Sequence, residues 1–459
     1  MNKREFLKSS GAFVTGSMLA RLAGAQTTAM PAIDAIPQDT TDRTNWAGNL
    51  HYHTHHLYQP ANLEQVREVV QALPKLKPLG ARHSFNTIAD SDAAQISLKA
   101  LDSMVLDAAA RTVTVGAGVT YGKLAPWLDA QGFAVHNLAS LPHVSVVGAC
   151  ATATHGSGLH NGNLSTAVSA LQLVTASGEV VHLSRAQDGD RFHGAVVGLG
   201  ALGVVTHITL DVIPSFQMYQ VVYENLSFDQ LEHHLDEIFG AGYSVSLFTD
   251  WQNNRASEVW LKRRYQPGSQ PEMPPTFYGA TVATTKLHPI RNLDAINCTD
   301  QQGIPGPWYE RMPHFRMNFT PSSGAELQTE YFVPRQHAYQ AIRAVQQLAD
   351  QITPHLLITE FRTIAADDLW LSMAYQRDSL ALHFTWKQQT PEVTALLPLI
   401  EAKLAPFAAR PHWAKLFTVP PQTLQALYPR MAEFKALVEH YDPKGKFRNN
   451  FLATHFYSA

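Results

Sequence analysis

Pro78-Leu79-Gly80-Ala81-Arg82-His83-Ser84-Phe85-Asn86 is the stretch on which the reading of this chain turns. It follows the short segment Leu76 to Leu79 and reads as a tight turn, where glycine lets backbone N–H groups converge on an anion as a nest. A histidine at the end of such a nest faces the same ligand. Further along come Leu138-Ala139-Ser140-Leu141-Pro142-His143-Val144-Ser145-Val146-Val147-Gly148 and Ala151-Thr152-Ala153-Thr154-His155-Gly156-Ser157-Gly158. Both runs are small, hydroxylated and glycine-rich, which suits a long polar ligand such as a dinucleotide lying along the backbone. The same composition equally suits ordinary polar turns.

Gly198-Leu199-Gly200-Ala201-Leu202-Gly203 matches the G-x-G-x-x-G of dinucleotide-binding folds, but that pattern has meaning only between a strand and the helix it opens. Here the order is reversed. Asp190 to Val197 is helical in pattern and Val204 to Val212 is a strand, so no helix N-terminus follows the glycines. They are expected to let a buried turn pack closely.

The chain has 459 residues, 45% of them apolar, enough for two or three domains with a sizeable core. A net charge of -3 with no long like-charge run supplies no field toward phosphate backbones or anionic lipid, which excludes nucleic acid and membrane surface as default partners. Cys150 and Cys298 are far apart and fit neither a zinc motif nor a disulfide framework. The histidines of HYHTHH, His51, His53, His55 and His56, lack an accompanying carboxylate or cysteine, so no metal is expected. At the start, Lys3-Arg4-Glu5-Phe6-Leu7-Lys8 precedes a small-residue apolar stretch ending in Ala23-Gly24-Ala25, an export-signal pattern. It resembles a twin-arginine leader with Lys3 in place of the first arginine, which implies a periplasmic or secreted protein if the leader works and a cytoplasmic one otherwise.

Between Trp46 and Pro214 two helical patterns stand out, Leu63 to Leu73 and Tyr121 to Gln131. Strands are expected over Leu106 to Val115 and Val204 to Val212, with a hairpin over Val168 to Leu183 turning at Ser177-Gly178. After Pro214 strands such as Tyr243 to Phe248 and Leu380 to Trp386 mix with helices such as His337 to Leu348, and the Pro-rich segment 267 to 275 reads as a surface loop. A helix over Leu424 to Leu437, followed by a turn, is expected to return toward the first domain.

The turn ending in His-Ser-Phe-Asn, the ASLPHVSVVGACATATHGSG run, GLGALGVVT, TPSSGAELQTEY from Thr320, ITEFRTIAADDLWLS from Ile358, ALHFTW from Ala381, ARPHWAKLF from Ala409 and DPKGKF from Asp442 occur in one order from about Asn45 to Phe451. Together they resemble the alditol and xylitol oxidases of the vanillyl-alcohol oxidase superfamily. The resemblance implies an α+β, two-lobed protein: a PCMH-type FAD-binding domain over 45–216, a substrate domain over 217–420, and a C-terminal segment, 421–459, returning to the first lobe after a leader over 1–25.

It also implies roles. His83 corresponds to the histidine joined covalently to the flavin, a role for which a neutral imidazole is a suitable nucleophile. Pro78, Leu79, Gly80, Ala81, Arg82, Ser84, Ser140, Ser145, Gly148, Thr152, Ala153, Thr154, His155 and Val205 are implied to line the FAD. Many superfamily members have a small residue where this chain has Arg82. Ser140, Glu360, Arg362, Thr385 and Lys415 are implied to bind and activate the substrate, a small polyol, with oxygen as the electron acceptor. Alternation on a strand puts Glu360 and Arg362 on one face, one accepting from polyol hydroxyls and one donating, as an ordinary surface ion pair also would. Small Ala139 leaves oxygen a path, and Lys415 or Arg362 stabilises a developing alkoxide at C1. His383 and a water both stand as acceptors of the hydroxyl proton. Sugar-lactone oxidation or dehydrogenation on the same fold is the alternative function.

Overall fold

The computed structural model describes residues 33–319 and 325–458. The leader pattern over 1–25 and Thr320 to Gly324 lie outside the described residues.

The first lobe has two main sheets and a two-stranded pair, Phe133–Ala134 with Ile213–Pro214. In the smaller main sheet, Leu57–Tyr58, Gln95–Ile96 and Lys77–Pro78 run parallel, with Gln38–Asp39 antiparallel at the edge. The helix Leu63–Ala72 covers it, opened by Asn62, whose side chain accepts from the Gln65 amide at 3.0 Å and satisfies one orphan donor of the first turn. Val66, Val69 and Val70 share one helical face and bury against Leu76 and Ile96. The larger sheet is antiparallel: Met104–Asp107, Thr112–Gly116, Val204–Asp211, Val168–Val174 and Val180–Ser184. The strand expected over Leu106 to Val115 is therefore a hairpin. Asp107 accepts from the Ala110 amide at 2.9 Å and Arg111 takes a positive φ of 53°, so the chain reverses between them.

The second lobe is one long antiparallel sheet. Its order is Thr276–Phe277, Ala280–Val282, Gln217–Ser227, Arg255–Tyr265, Ser244–Thr249, Leu356–Ile364, Ser379–Lys387, Glu326–Pro334 and Arg410–Pro411. One face is apolar: Leu327, Tyr331, Val333, Phe361, Leu380, Leu382 and Phe384 pack with residues of the helices Asp229–Gly240, Ala338–Gln346 and Thr390–Leu404. Each such buried Leu or Phe contributes about 1.5–3 kcal/mol of transfer free energy. Alternation sends Gln328, Glu330, Glu360, Arg362, His383 and Thr385 to the opposite face, where a bare charge would be costly and each needs a partner.

Residues of the last stretch hydrogen-bond to the first lobe. The Leu76 amide donates to Lys446 O at 3.0 Å, and Lys77 Nζ donates to the carbonyls of Leu199 and Gly200 at 3.1 Å each and of Phe447 at 3.4 Å. The single helix expected over Leu424 to Leu437 is two helices, Pro421–Ala426 and Met431–Tyr441, because Pro429 cannot continue the first. Among the described residues no helix is long and apolar enough to cross a membrane.

Candidate active site

A cavity of about 480 Å³ lies between the two lobes. Pro78, Leu79, Gly80, Ala81, Arg82, His83 and Ser84 line it from the turn, Ala139, Ser140, Ser145, Gly148, Thr152, Thr154 and His155 from the small-residue runs, and Val205 from the first lobe's sheet. Glu360, Arg362, Thr385 and Lys415 line it from the second lobe. Ala153 does not: fully buried at φ 53°, it shapes the turn behind the wall. Val146–Ala151, within the small-residue runs, is a short helix whose Gly148 faces the cavity. Gly198, Leu199, Gly200, Leu202 and Gly203 also line it, so the glycine pattern forms cavity wall as a helix-to-strand turn rather than only a packing turn.

The turn sorts its own side chains. Arg82 takes a positive φ of 62°, which sends its exposed side chain outward to donate to Thr44 O at 3.3 Å and turns His83 inward. Phe85 N donates to Ala414 O, and Asn86 Nδ2 to the carbonyls of Trp413 and Lys415, each at 2.8 Å, so the turn is clamped to the segment that carries Lys415. His83 Nδ1 lies 3.1 Å from His143 Nε2, and the His83 ring rests 4.5 Å from that of Trp46. Burial, then the cations and imidazoles nearby, His143, Lys415 and His383, push the His83 imidazole well below its ordinary range, so it is neutral. Among the described residues, the buried Nδ1 of His143 has no partner.

Glu330 is the centre of the charged end. Its side chain has no exposed surface; Oε1 accepts from His155 Nε2 at 3.0 Å and Arg362 Nη2 at 3.2 Å, and Oε2 from Lys415 Nζ at 2.6 Å. Burial alone would raise its carboxyl, but Lys415, then His155 and His383, outweigh it and hold the group well below the carboxylate range. Sheet register builds this cluster, since Glu330, His383 and Glu360 are cross-strand neighbours on adjoining strands. Lys415 Nζ donates to His383 Nδ1 at 2.6 Å, and His383 Nε2 lies 3.1 Å from Thr385 Oγ1. Burial and Lys415 bring His383 down to about 4, and burial lowers Lys415. Arg362 Nη1 reaches Ser140 Oγ at 3.4 Å, linking the small-residue run to this cluster. Glu360 Oε1 accepts from His314 Nε2 at 2.8 Å.

All five substrate-site residues expected from sequence thus converge, and Glu360 and Arg362 are buried rather than a surface pair. Sequence reasoning missed Glu330 and His314. The alternation of Gln328 and Glu330 with Leu327, Thr329 and Tyr331 was the available signal for Glu330. His155 Nε2 donates to Glu330 Oε1 at 3.0 Å, so this residue braces Glu330 from the cavity wall. His53 pairs with Asp90 at 2.6 Å, and Cys150 and Cys298 are buried and free.

Residues 54–184 match the FAD binding domain family, and residues 323–455 match the D-arabinono-1,4-lactone oxidase family. The chain is 47% identical to an alditol oxidase of Streptomyces sp. over 90% of this chain and 98% of that one. It is 26% identical to the L-gulonolactone oxidase of Bos taurus, over 90% and 98%, and 28% identical to an L-gulono-1,4-lactone dehydrogenase of Mycobacterium tuberculosis, over 89% and 97%. Its fold is similar to that of cholesterol oxidase from B. sterolicum, with a TM-score of 0.75 and 15% identity over 95% of this chain and all of that one.

Proposed function

The chain belongs to the alditol oxidase family of FAD-binding oxidases, and from that premise we propose that it oxidises the C1 hydroxyl of alditols such as xylitol or sorbitol to the aldose, with oxygen reduced to hydrogen peroxide. The observation that carries this reading is the convergence of Ser140, Glu330, Glu360, Arg362, His383, Thr385 and Lys415 on one end of the cavity. A neutral polyol offers a donor and an acceptor at every carbon, and a wall of alternating carboxylates, cations and hydroxyls matches it.

The residues fit FAD. The turn and the small-residue runs present backbone with little side chain: a Cβ at Gly148 would meet Ser145 Oγ at 2.7 Å, and one at Gly80 at 3.0 Å. The neutral, inward His83 suits covalent attachment, and Gly80, Ala81, Ser84, Ser145, Gly148, Thr152, Thr154 and Gly200 would hold the rest. Bound there, FAD would supply the two-electron acceptor for the oxidation, with oxygen as the final oxidant.

In this reading Glu360, Thr385 and Ser140 orient the polyol by its hydroxyls, which converts the encounter into a positioned reaction. Arg362 and Lys415 offer positive charge where the C1 oxygen gains negative charge. With Nδ1 of His383 accepting from Lys415 at 2.6 Å, its protonated Nε2 faces Thr385, which leaves water as the acceptor of the hydroxyl proton. Lactone oxidation is the second reading, favoured by the match over 323–455; the much higher identity to the alditol oxidase ranks it below. Peroxide release measured with xylitol, sorbitol and L-gulono-1,4-lactone tests the choice. Turnover of the polyols supports the proposal, and turnover of the lactone alone overturns it.

A further inference from the structure

Glu360 uses its two oxygens unequally. His314 Nε2 donates to Oε1 at 2.8 Å and Arg362 Nε lies 3.4 Å from the same oxygen, while among the described residues Oε2 has no protein partner and the residue faces the cavity. The ring that makes this asymmetry is held from behind. Lys262 Nζ donates to Met312 O at 2.6 Å and Pro313 O at 2.9 Å, and lies 3.4 Å from His314 Nδ1. An ammonium has three N–H bonds, and these contacts use all three. Because an ionised carboxylate only accepts, Nε2 must carry the imidazole proton, which leaves Nδ1 as the acceptor for Lys262 and fixes the tautomer. Phe248 and Trp260 close on the ring edge-on, with centroids 5.4 and 5.2 Å away, so its rotation is also restricted. Burial keeps His314 neutral, at about 4, and the carboxylate stays ionised because Arg362 and His314 outweigh its burial.

We propose that His314, backed by Lys262, is a positioning residue that saturates one oxygen of Glu360 and aims the other at the polyol, so that Glu360 accepts through a single oxygen of fixed direction. This deepens, and rests on, the alditol reading above. A ring that donates only to Glu360 acts on substrate binding more than on the chemical step, which predicts a specific kinetic signature.

The test compares His314→Leu, which fills the space and donates nothing, with His314→Gln, whose amide N–H occupies a similar place to Nε2. Steady-state kinetics with xylitol and sorbitol are measured on enzyme with equal flavin content. His314→Leu is expected to raise KM about tenfold while kcat changes less than about threefold, and His314→Gln to return KM to within about threefold of the parent. His314→Asn, too short to span the gap, carries the same expectation as the Leu variant and decides the matter should that variant not fold. An unchanged KM in the Leu or Asn variant, or a Gln variant as impaired as the Leu variant, overturns the inference. If the parent enzyme oxidises no alditol at all, the functional reading fails instead, and the two failures are distinguishable.

Discussion

Lys415 Nζ and Glu330 Oε2 lie 2.6 Å apart, and the Glu330 side chain has no solvent-exposed surface. Two charges taken out of water are tolerable only as a pair, and removal of one partner from such a pair costs about 3–5 kcal/mol because the other is left uncompensated. Glu330→Gln keeps the shape and removes the charge that holds Lys415 and Arg362. It is expected to lower Tm by about 3–5 °C and kcat/KM for alditols about a hundredfold, or roughly 2.7 kcal/mol of transition-state stabilisation. Thermal denaturation and steady-state kinetics check both; parental values of both would mean the pair is not an energetic unit.

Acid sensitivity follows from the same cluster. Burial holds His314 and His383 at about 4, against about 6.5 in the unfolded chain. Between those values the unfolded state binds protons that the folded state refuses, so stability is lost as pH falls through this window. The depressed carboxyl of Glu330 extends the loss below it, since its contribution disappears only as pH drops through its folded value. Tm is expected to fall steadily from pH 7 to pH 4, and His383→Gln to flatten that slope. A Tm that is flat over this range would contradict the assignment of neutral buried imidazoles.

Much of this site was legible in the chain itself, and the residues that were not share a cause. The cavity wall is made of local sequence: a turn from Pro78 to Asn86 and two small-residue runs carry their geometry in their glycines and hydroxyls. Glu330 and His314 have no such local signature. Glu330 acquires its meaning only when strand pairing sets it beside His383 and the Lys415 segment closes over it, and His314 lies on a loop whose partners, Lys262 and Glu360, come from separate strands. The broken C-terminal helix is a different case, because Pro429 stood in the sequence and local pattern outweighed it. The hairpin at Asp107 to Arg111 likewise hid behind an alanine run whose only turn signal is the aspartate.

Arg82 offers a test of backbone strain in the turn that lines the cavity. Its positive φ costs a non-glycine residue about 1–2 kcal/mol, whereas glycine there loses about 0.5–1 kcal/mol more backbone entropy on folding. Relief of strain wins by a small margin, so Arg82→Gly is expected to raise stability by roughly 0.5 kcal/mol. Denaturant titration measures this; a destabilised variant would show that the Thr44 contact outweighs the strain.

His83→Ala separates tether from fold. With the imidazole gone, acid precipitation is expected to leave the yellow flavin in the supernatant, while in the parent protein the colour stays in the pellet. Flavin released equally from both proteins would rule out a bond through His83.

The most direct test of the central claim is anaerobic mixing of the flavin-loaded protein with xylitol, sorbitol or L-gulono-1,4-lactone while the visible spectrum is recorded, followed by admission of air. Bleaching by the polyols, then recovery of the oxidised spectrum with stoichiometric peroxide, is the result this account requires. Bleaching by the lactone alone, or by none of the three, would contradict it.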